Sequence, residues 1–496
     1  MIAEARKKLR EYALAYVAQL GIRRTSEHFG SSHTVVTYFP LNILSKMPQD
    51  EFFFSRLRGS KPVNLYAHIP FCKSKCGYCS YVSEPNPSQD RIENYLLALN
   101  KELAMYGNIL QGRKIVSVYI GGGTPPILTS QQLSNRLIGP IRKRLNVDEN
   151  APLCVEANPA TLIGEEGKEK IKTLIKQGTS RLSIGVQTFN DTILRAIGRG
   201  YSTGEDARTA IYHAREAGIP VLNVDMMQDL PGQTLEDIES DLQAISELRP
   251  NSVTWYTMRV APNCWLHDRF ERPSEENSLV ARIMITDALK QRGYTQNSGD
   301  RFSLTAKDRD KFKEARSSVT SDMLGIGVSA YSHLDDLIFR NETDIDEYMK
   351  IITRGRSPVT RGKYYDNLEE RFVANLVLKL KEGIEFREGG KDMFMASAWN
   401  YFSCWNGVGP EGRMWDLLQR TGYRKKIPRL VHAGLLEFEG DRLQFTEKGR
   451  LFENEICRML YSPIVDAETK GHNTLAFLEK INWDFSGTPR GYKVRA

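Results

Sequence analysis

From residue 62 to about 292 the chain repeats one pattern: a short apolar run rich in β-formers, a loop with Gly, Asn or Pro, then an amphipathic helical stretch. The strand candidates are Val63–Ile69, Val116–Ile120, Leu153–Glu156, Arg181–Gly185, Val221–Met226 and Val253–Thr257. Between them, Asp90–Tyr106 carries Ile92, Tyr95, Leu96, Leu99 and Leu103 at helical spacing. Thr129–Leu145 opens on Thr129 or Ser130 as a cap, and Gly204–Ala217 and Thr234–Leu248 follow the same logic. Alternating β/α units predict an α/β fold with a parallel sheet buried on both faces. Six units are too few for a closed eight-stranded barrel. An open doubly wound sheet and a partial barrel both satisfy the spacing.

The repeat occupies less than half of the 496 residues, and that length suits two to four domains. Residues 1–60 hold an amphipathic helix and the irregular segment Ser31–Pro48. Residues 61–292 are the repeat. Residues 293–370, with Gly- and Ser-rich turns such as Leu324–His333, form a smaller mixed region, and 371–496 is a helical domain. Within that last part, Ile427–Ile456 predicts a helix, a hairpin turning at Glu439-Gly440-Asp441, and a second helix, as in a winged helix. Lys and Arg number 68 against 61 Asp and Glu, a net charge of +7. That mild bias permits anionic substrates or nucleic acid and demands neither. The amino-terminal apolar positions are interrupted by Arg6, Lys7, Lys8, Arg10 and Glu11, unlike a secretory signal. No run of about 18 apolar residues offers a membrane span. A cytoplasmic protein is expected.

There are seven cysteines, an odd number, and three of them crowd into Cys72-Lys73-Ser74-Lys75-Cys76-Gly77-Tyr78-Cys79, just after the first strand. A disulfide framework would be even and distributed. Three thiolates on one loop can converge on one metal centre and leave a coordination position open. An iron–sulfur cubane usually takes four thiolates, and with three, one iron is free to bind a small molecule. Zinc is the alternative, its fourth ligand coming from His68 or a remote Cys. Unligated cysteines are the blandest reading. Cys154, Cys264, Cys404 and Cys457 read as ordinary thiols. Parallel α/β folds bind ligands at the carboxyl ends of their strands. Those ends here carry Gly121-Gly122-Gly123-Thr124, Glu156, Gln187 with Arg199 further on, and Asp225. Each taken alone is more often structural; their shared rim makes the inference. The glycine run allows close backbone approach to a ligand.

Together these residues resemble the radical S-adenosylmethionine (SAM) superfamily, in its oxygen-independent coproporphyrinogen III oxidase-like branch. The matching segments are Tyr66–Tyr81, Tyr119–Pro125, Val155–Pro159, Arg181–Asn190, Gly198-Arg199, Asn223–Thr234, Leu324–Ser332 and Gly434–Arg450. The resemblance implies a partial (β/α)6 barrel with a [4Fe–4S] cluster on Cys72, Cys76 and Cys79 and SAM on the open iron. It implies reductive cleavage of SAM to methionine and a 5′-deoxyadenosyl radical. By motif, Tyr66, Gly122 and Glu156 would contact this SAM. Tyr78, Gly123, Thr124, Gln187, Arg199 and Asp225 would contact a second one. An electron donor such as flavodoxin or ferredoxin and a small-molecule substrate follow from the same resemblance, and the chain is expected to be monomeric.

The chain departs from the oxidase pattern at Ser80 and Tyr81, where the oxidase has Gly-Cys, and at Arg259, where it has a small residue. Retained second-SAM residues beside a lost oxidase feature favour a class C methyltransferase-like enzyme, with the second SAM as carbon donor for methylation or cyclopropanation. A coproporphyrinogen oxidase and a non-enzymatic haem chaperone are the alternatives. The segment Thr34–Pro40, similar to one that covers the oxidase site, argues against the chaperone. RNA modification, suggested by the basic stretch Arg420–Arg429, ranks last because such stretches are usually solvated faces.

Overall fold

The computed structural model describes residues 44–365 apart from 111, 272, 317–320 and 335. Beyond residue 365 it describes 374, 376–377, 380–385, 423–440, 442–453, 456–457 and 460. The amino-terminal helix, Thr34–Pro40, Cys404 and Arg420 lie outside these residues. The chain divides into two compact units. One comprises Leu44–Pro273 and Ile283–Tyr365; the other takes in Ser274–Arg282 and the carboxy-terminal residues from Asp366.

In the first unit six parallel strands follow one another: β1 (Val63–Ile69), β2 (Lys114–Gly122), β3 (Leu153–Ala157), β4 (Thr179–Gln187), β5 (Val221–Gln228) and β6 (Ser252–Thr257). Their order in the sheet is the order in the chain, with Tyr66 opposite Tyr119, Val155 opposite Leu182, and Asp225 between Gly185 and Thr254. A doubly wound sheet reverses its order at a switch point. The uninterrupted 1-2-3-4-5-6 order is that of a barrel repeat. The predicted strands are all present, extended by up to two residues at either end. They do not alternate between a buried and a solvated face; Leu65, Ile120, Val155, Ile184 and Val224 are buried, as strands covered on both faces require.

The helices between the strands begin where their caps place them. Helix α1 (Gln89–Ile109) starts at Ser88, whose hydroxyl accepts from Arg91 N. The segment after β2 starts at Thr129, which exchanges reciprocal bonds with Gln132. It is not the uniform α-helix predicted: Gln132–Ile138 is π-helical and Gly139–Arg144, α2, is α-helical. Pro140 has no N–H for the carbonyl of Arg136, and the Asn100 side chain donates to that oxygen instead, at 2.7 Å. Helices α3 (Gly164–Lys176) and α4 (Asp191–Ala196) follow. Helices α5 (Gly204–Glu216) and α6 (Leu235–Leu248) open on full capping boxes, Thr203 with Asp206 and Thr234 with Asp237.

Beyond β6 the hairpin β7 (Thr295–Ser298) and β8 (Arg301–Ser303) pairs antiparallel with β6. On the other edge β9 (Asp322–Ile326) adds a further parallel strand to β1. It is followed by antiparallel β10 (Tyr331–Leu334), β11 (Leu337–Asn341) and β12 (Val359–Tyr364). The turn expected within Leu324–His333 falls at residues 327–330, and the residues on either side of it are strand. Gly325 is there for close approach, since a Cβ on it would sit 2.4 Å from the Tyr331 carbonyl. In the second unit the described elements are the helix Tyr423–His432 and a hairpin, Leu436–Glu439 and Arg442–Phe445, joined by Ile384–Glu385 as a third strand. The short helix Glu447–Arg450 is capped by Thr446.

Candidate active site

The segment after β1 is tied down at both ends. Phe71–Cys72 pairs with Glu84–Pro85, Glu84 N donates to Pro70 O at 2.7 Å, and Asn86 N donates to Cys72 O at 2.8 Å. Between these ties the cysteine loop is hooked to its neighbours. Lys73 Nζ donates to Ala160 O after β3, Gly77 N to Ile197 O after β4, and Leu266 N, after β6, to Gly77 O. Cys264 Sγ donates to Tyr78 O at 3.3 Å. The 258–270 segment thus packs the loop against α4 through Met258, Val260, Cys264, Leu266, Ile193 and Ile197, with Tyr78 on the same cluster.

Cys72, Cys76 and Cys79 are free thiols, half-buried on this loop. Burial pushes the Cys79 thiol up to about 12, and the neighbouring Cys76 adds to the rise. Burial likewise raises Cys72, against a stabilising contact from the Thr124 hydroxyl at 3.6 Å. Ionising Cys72 and Cys79 is uphill until a cationic centre shares the charge. That donor set fits a thiolate-bound iron centre. It fits a structural zinc poorly, because among the described residues His68 and Cys154, two of the fourth ligands considered for zinc, are committed elsewhere. His68 is bonded at Nε2 to the Val82 carbonyl (2.9 Å) and at Nδ1 to Tyr66 Oη (3.0 Å). A carbonyl only accepts, so Nε2 carries the proton and Tyr66 donates to Nδ1. Burial lowers the His68 pKa to about 4, so the ring is neutral. Cys154 is buried against Tyr119 and Phe312. Among the described residues no three His, Cys, Asp or Glu side chains are gathered closely enough for a single metal ion.

The glycine run at the end of β2 packs closely on its neighbours. Gly123 N donates to Ile69 O and Thr124 N to Phe71 O, which lace β2's end to the cysteine loop. A Cβ on Gly121 would meet Glu156 Oε2 at 2.6 Å. One on Gly122 (φ +110°) would meet the His68 ring at 2.4 Å, and one on Gly123 the Phe71 carbonyl at 2.5 Å. The close approach seen is to the neighbouring strand β3, to His68 of β1 and to the cysteine loop. Its product is a carboxylate held at the rim: Glu156 accepts from Tyr119 Oη at 2.6 Å and from Gly122 N at 3.1 Å.

The remaining expected residues fall into two groups at the same rim. Glu156 lies with Tyr66, Tyr119 and Asp225; Asp225 accepts from Ser183 Oγ and Asn223 Nδ2 at 2.9 Å each. Burial raises the pKa of both acids, and for Glu156 the nearby Asp225 adds to it. Arg199 is buried beside Cys76 and Tyr78, and Nη2 donates to Gly185 O at 2.8 Å. Burial opposes its charge, yet the Cys76 and Tyr78 side chains raise its pKa overall. Gln187, at φ +73°, turns back over the same Gly185. Its turn is held by Asp241 of α6, which accepts from Phe189 N at 2.8 Å and Thr188 Oγ1 at 3.1 Å.

Residues outside the repeat complete the site and were not foreseen. The short helix Lys311–Arg316 packs Phe312 on the Tyr119 ring and sets Lys313 Nζ 3.4 Å from Tyr256 Oη at the end of β6. Lys313 also pairs with Asp310 at 3.7 Å, and Asp310 with the buried Arg181 at 3.8 Å. Arg316 donates to Tyr331 Oη at 3.3 Å. A short polar helix beyond the repeat carries no sequence signal that it folds back onto the strand ends.

A loop of three thiols at the mouth of a (β/α) repeat, ringed by Glu156, Asp225 and Arg199, defines a class, and the comparisons agree. Residues 66–245 match the family model of the Radical SAM superfamily. The chain belongs to that superfamily, whose members hold a [4Fe–4S] cluster and SAM. Within it the chain belongs to the coproporphyrinogen III oxidase-like branch. The oxygen-independent coproporphyrinogen III oxidase of Escherichia coli (strain K12) is 26% identical over 414 residues, 80% of this chain and 85% of that protein. The solved structure of coproporphyrinogen III oxidase (HemN) from Escherichia coli matches with a TM-score of 0.71 at 25% identity, covering 87% of this chain and 97% of that one. The heme chaperone HemW of Buchnera aphidicola subsp. Schizaphis graminum is 29% identical over 412 residues, 80% of this chain and 98% of that protein. These relatives lend no support to carbon transfer from a second SAM; the oxidase and chaperone alternatives fit them better.

Proposed function

We propose that the chain is a radical SAM enzyme that oxidises a carboxylate-bearing small molecule of the coproporphyrinogen type. One observation carries the reading: the strand-end rim that fixes Glu156, Asp225 and Arg199 around the cysteine loop sits on a fold shared with the Escherichia coli oxidase over 97% of that enzyme. Cys72, Cys76 and Cys79 would hold the [4Fe–4S] cluster. When bound, the cluster and SAM supply a one-electron cleavage of the sulfonium and a 5′-deoxyadenosyl radical that takes a hydrogen atom from the substrate. The chain's own part is placement. Glu156, aimed by Tyr119 and Gly122, accepts from the amine or ribose hydroxyls of SAM, with Tyr66 beside it. Arg199 offers its guanidinium to a carboxylate, and Tyr78, Gly123, Thr124, Gln187 and Asp225 extend the rim for a second SAM or the substrate. Lys313 and Arg316 give the mouth positive charge suited to carboxylates.

Two observations favour a second reading, a haem-carrying chaperone: the chaperone relatives align over 98% of their length, and Ser80-Tyr81 departs from the oxidase. One assay separates the two. The anaerobically reconstituted protein, given dithionite, SAM and coproporphyrinogen III, is expected to form 5′-deoxyadenosine together with decarboxylated porphyrinogen. S-adenosylhomocysteine or methylthioadenosine as co-product would restore the carbon-transfer reading. Haem binding without any SAM cleavage would sink the enzyme reading.

A further inference from the structure

Trp265 is a large apolar side chain left 46% exposed, and its position is specific. A Cβ on Gly77, between Cys76 and Tyr78, would sit 2.6 Å from its ring, and one on Gly198 3.0 Å from it. Two glycines, one on the cysteine loop and one after α4, thus make room for an indole that solvent still reaches. The backbone next to it is bonded to the same loop, Leu266 N to Gly77 O at 3.1 Å. One cation lies at the ring, and two more are exposed on the elements that flank it. Arg269 lies 5.8 Å from its centroid, Arg195 is exposed on α4, and Lys75 is exposed on the loop itself, its carbonyl 3.4 Å from the Gly198 Cβ position. Asp268 and Glu271, also exposed, are the acids of the same segment.

We propose that Trp265, with Lys75, Arg195 and Arg269, is the docking face for an acidic one-electron carrier protein that reduces the centre held by the cysteine loop. The proposal rests on the cluster reading above and adds where its electron enters. In each cleavage the carrier is oxidised by one electron, which the centre takes up and the breaking C–S bond of SAM consumes. A carrier seated on the indole stands against Gly77, the residue that follows Cys76 and lies two before Cys79. Small, salt-sensitive faces built on a Trp or Arg anchor with a cationic surround suit transient redox encounters. The chain's net charge of +7 favours the same approach.

The test uses the reconstituted holoprotein and flavodoxin as the acidic carrier. Binding of oxidised flavodoxin, read by calorimetry without turnover, is expected to weaken with added salt. It is expected to fall about tenfold or more in Trp265→Ala and in the double variant Arg195→Glu/Arg269→Glu. With flavodoxin, its reductase and NADPH, 5′-deoxyadenosine formation is expected to slow by the same order. With dithionite it should stay within about twofold of the unmodified chain. Unchanged flavodoxin binding in both variants would overturn the proposal. So would a parallel loss with dithionite in the double variant, which would mark these residues as packing for the loop. If dithionite yields no 5′-deoxyadenosine even in the unmodified chain, the enzyme reading fails, and the binding measurement still decides whether this face takes an acidic carrier.

Discussion

Tyr119 donates its phenolic hydrogen to Glu156 Oε1 at 2.6 Å, from the strand next to the one that carries the carboxylate. Together with Gly122 N on Oε2 it opposes the rise in the Glu156 pKa that burial causes. Tyr119→Phe removes one of these two bonds and leaves the ring packing on Phe312 intact. The carboxylate should then protonate at higher pH, so SAM binding should fade earlier on acidification. At neutral pH the affinity should drop by roughly fivefold, about 1 kcal/mol for a lost hydrogen bond. Anaerobic calorimetry across pH 5–8, with iron content as the control for the cluster, measures both effects.

Cys76→Ala should abolish assembly of the iron centre and leave the fold standing. Cys76 is half-buried, and the loop backbone around it is held by the Gly77, Tyr78 and Cys72 bonds, which do not involve its sulfur. Iron and sulfide analysis with the visible charge-transfer band reads the outcome. A variant that still binds about four irons would remove Cys76 from the ligand set.

Asp241 offers a pH experiment. Its Oδ1 takes both bonds from the Gln187 turn, its Oδ2 is buried without a hydrogen-bond partner, and burial raises its pKa from an ordinary 3.8 to about 7. The folded chain therefore binds this proton more tightly than the unfolded one. The contribution to stability is fully present below about pH 3.8, declines as pH rises, and is lost by about pH 7. Asp241→Asn keeps the Oδ1 bonds and cannot ionise. It should flatten this decline, matching the unmodified chain near pH 4 and exceeding it at pH 8 by on the order of 2–4 kcal/mol. Urea midpoints as a function of pH check the sign.

The six strands were legible because a buried parallel strand needs a run of β-branched and apolar residues. The cysteine loop was legible as a candidate metal centre because ligands drawn from one short loop must be close in sequence. Glu156, Arg199 and Asp225 were found by the rule that strand ends share one rim. Other features needed the folded chain. Gly325 looks like a turn residue until Tyr331 is seen beside it, because the sequence does not state which strands come into contact. The π-helical turn before Pro140 was not foreseen in Thr129–Leu145, and that Asn100 answers the freed Arg136 carbonyl depends on how α1 packs. Trp265 carries no sequence signal of its own; its meaning comes from two glycines 67 or more positions away in sequence (Gly198 and Gly77).

Lys313 is the clearest case of a candidate site residue brought in by tertiary structure, since its helix lies between the β7–β8 hairpin on one sheet edge and β9 on the other. Its side chain is 20% exposed, with Nζ between Tyr256 Oη and Asp310. It is also close enough to lower the pKa of both Glu156 and Asp225. If the substrate carries carboxylates, this ammonium is placed to take one as a charge-assisted hydrogen bond, worth about 1.5–3 kcal/mol. Lys313→Met keeps the length and the contact with the Tyr256 ring while deleting the charge. KM for the anionic substrate should rise roughly tenfold or more, with a smaller change in kcat, since the interaction serves ground-state binding. Iron content should stay unchanged, and 5′-deoxyadenosine formed without substrate should change little. An unchanged KM would remove Lys313 from substrate recognition and leave it as the partner of Asp310 and Arg181.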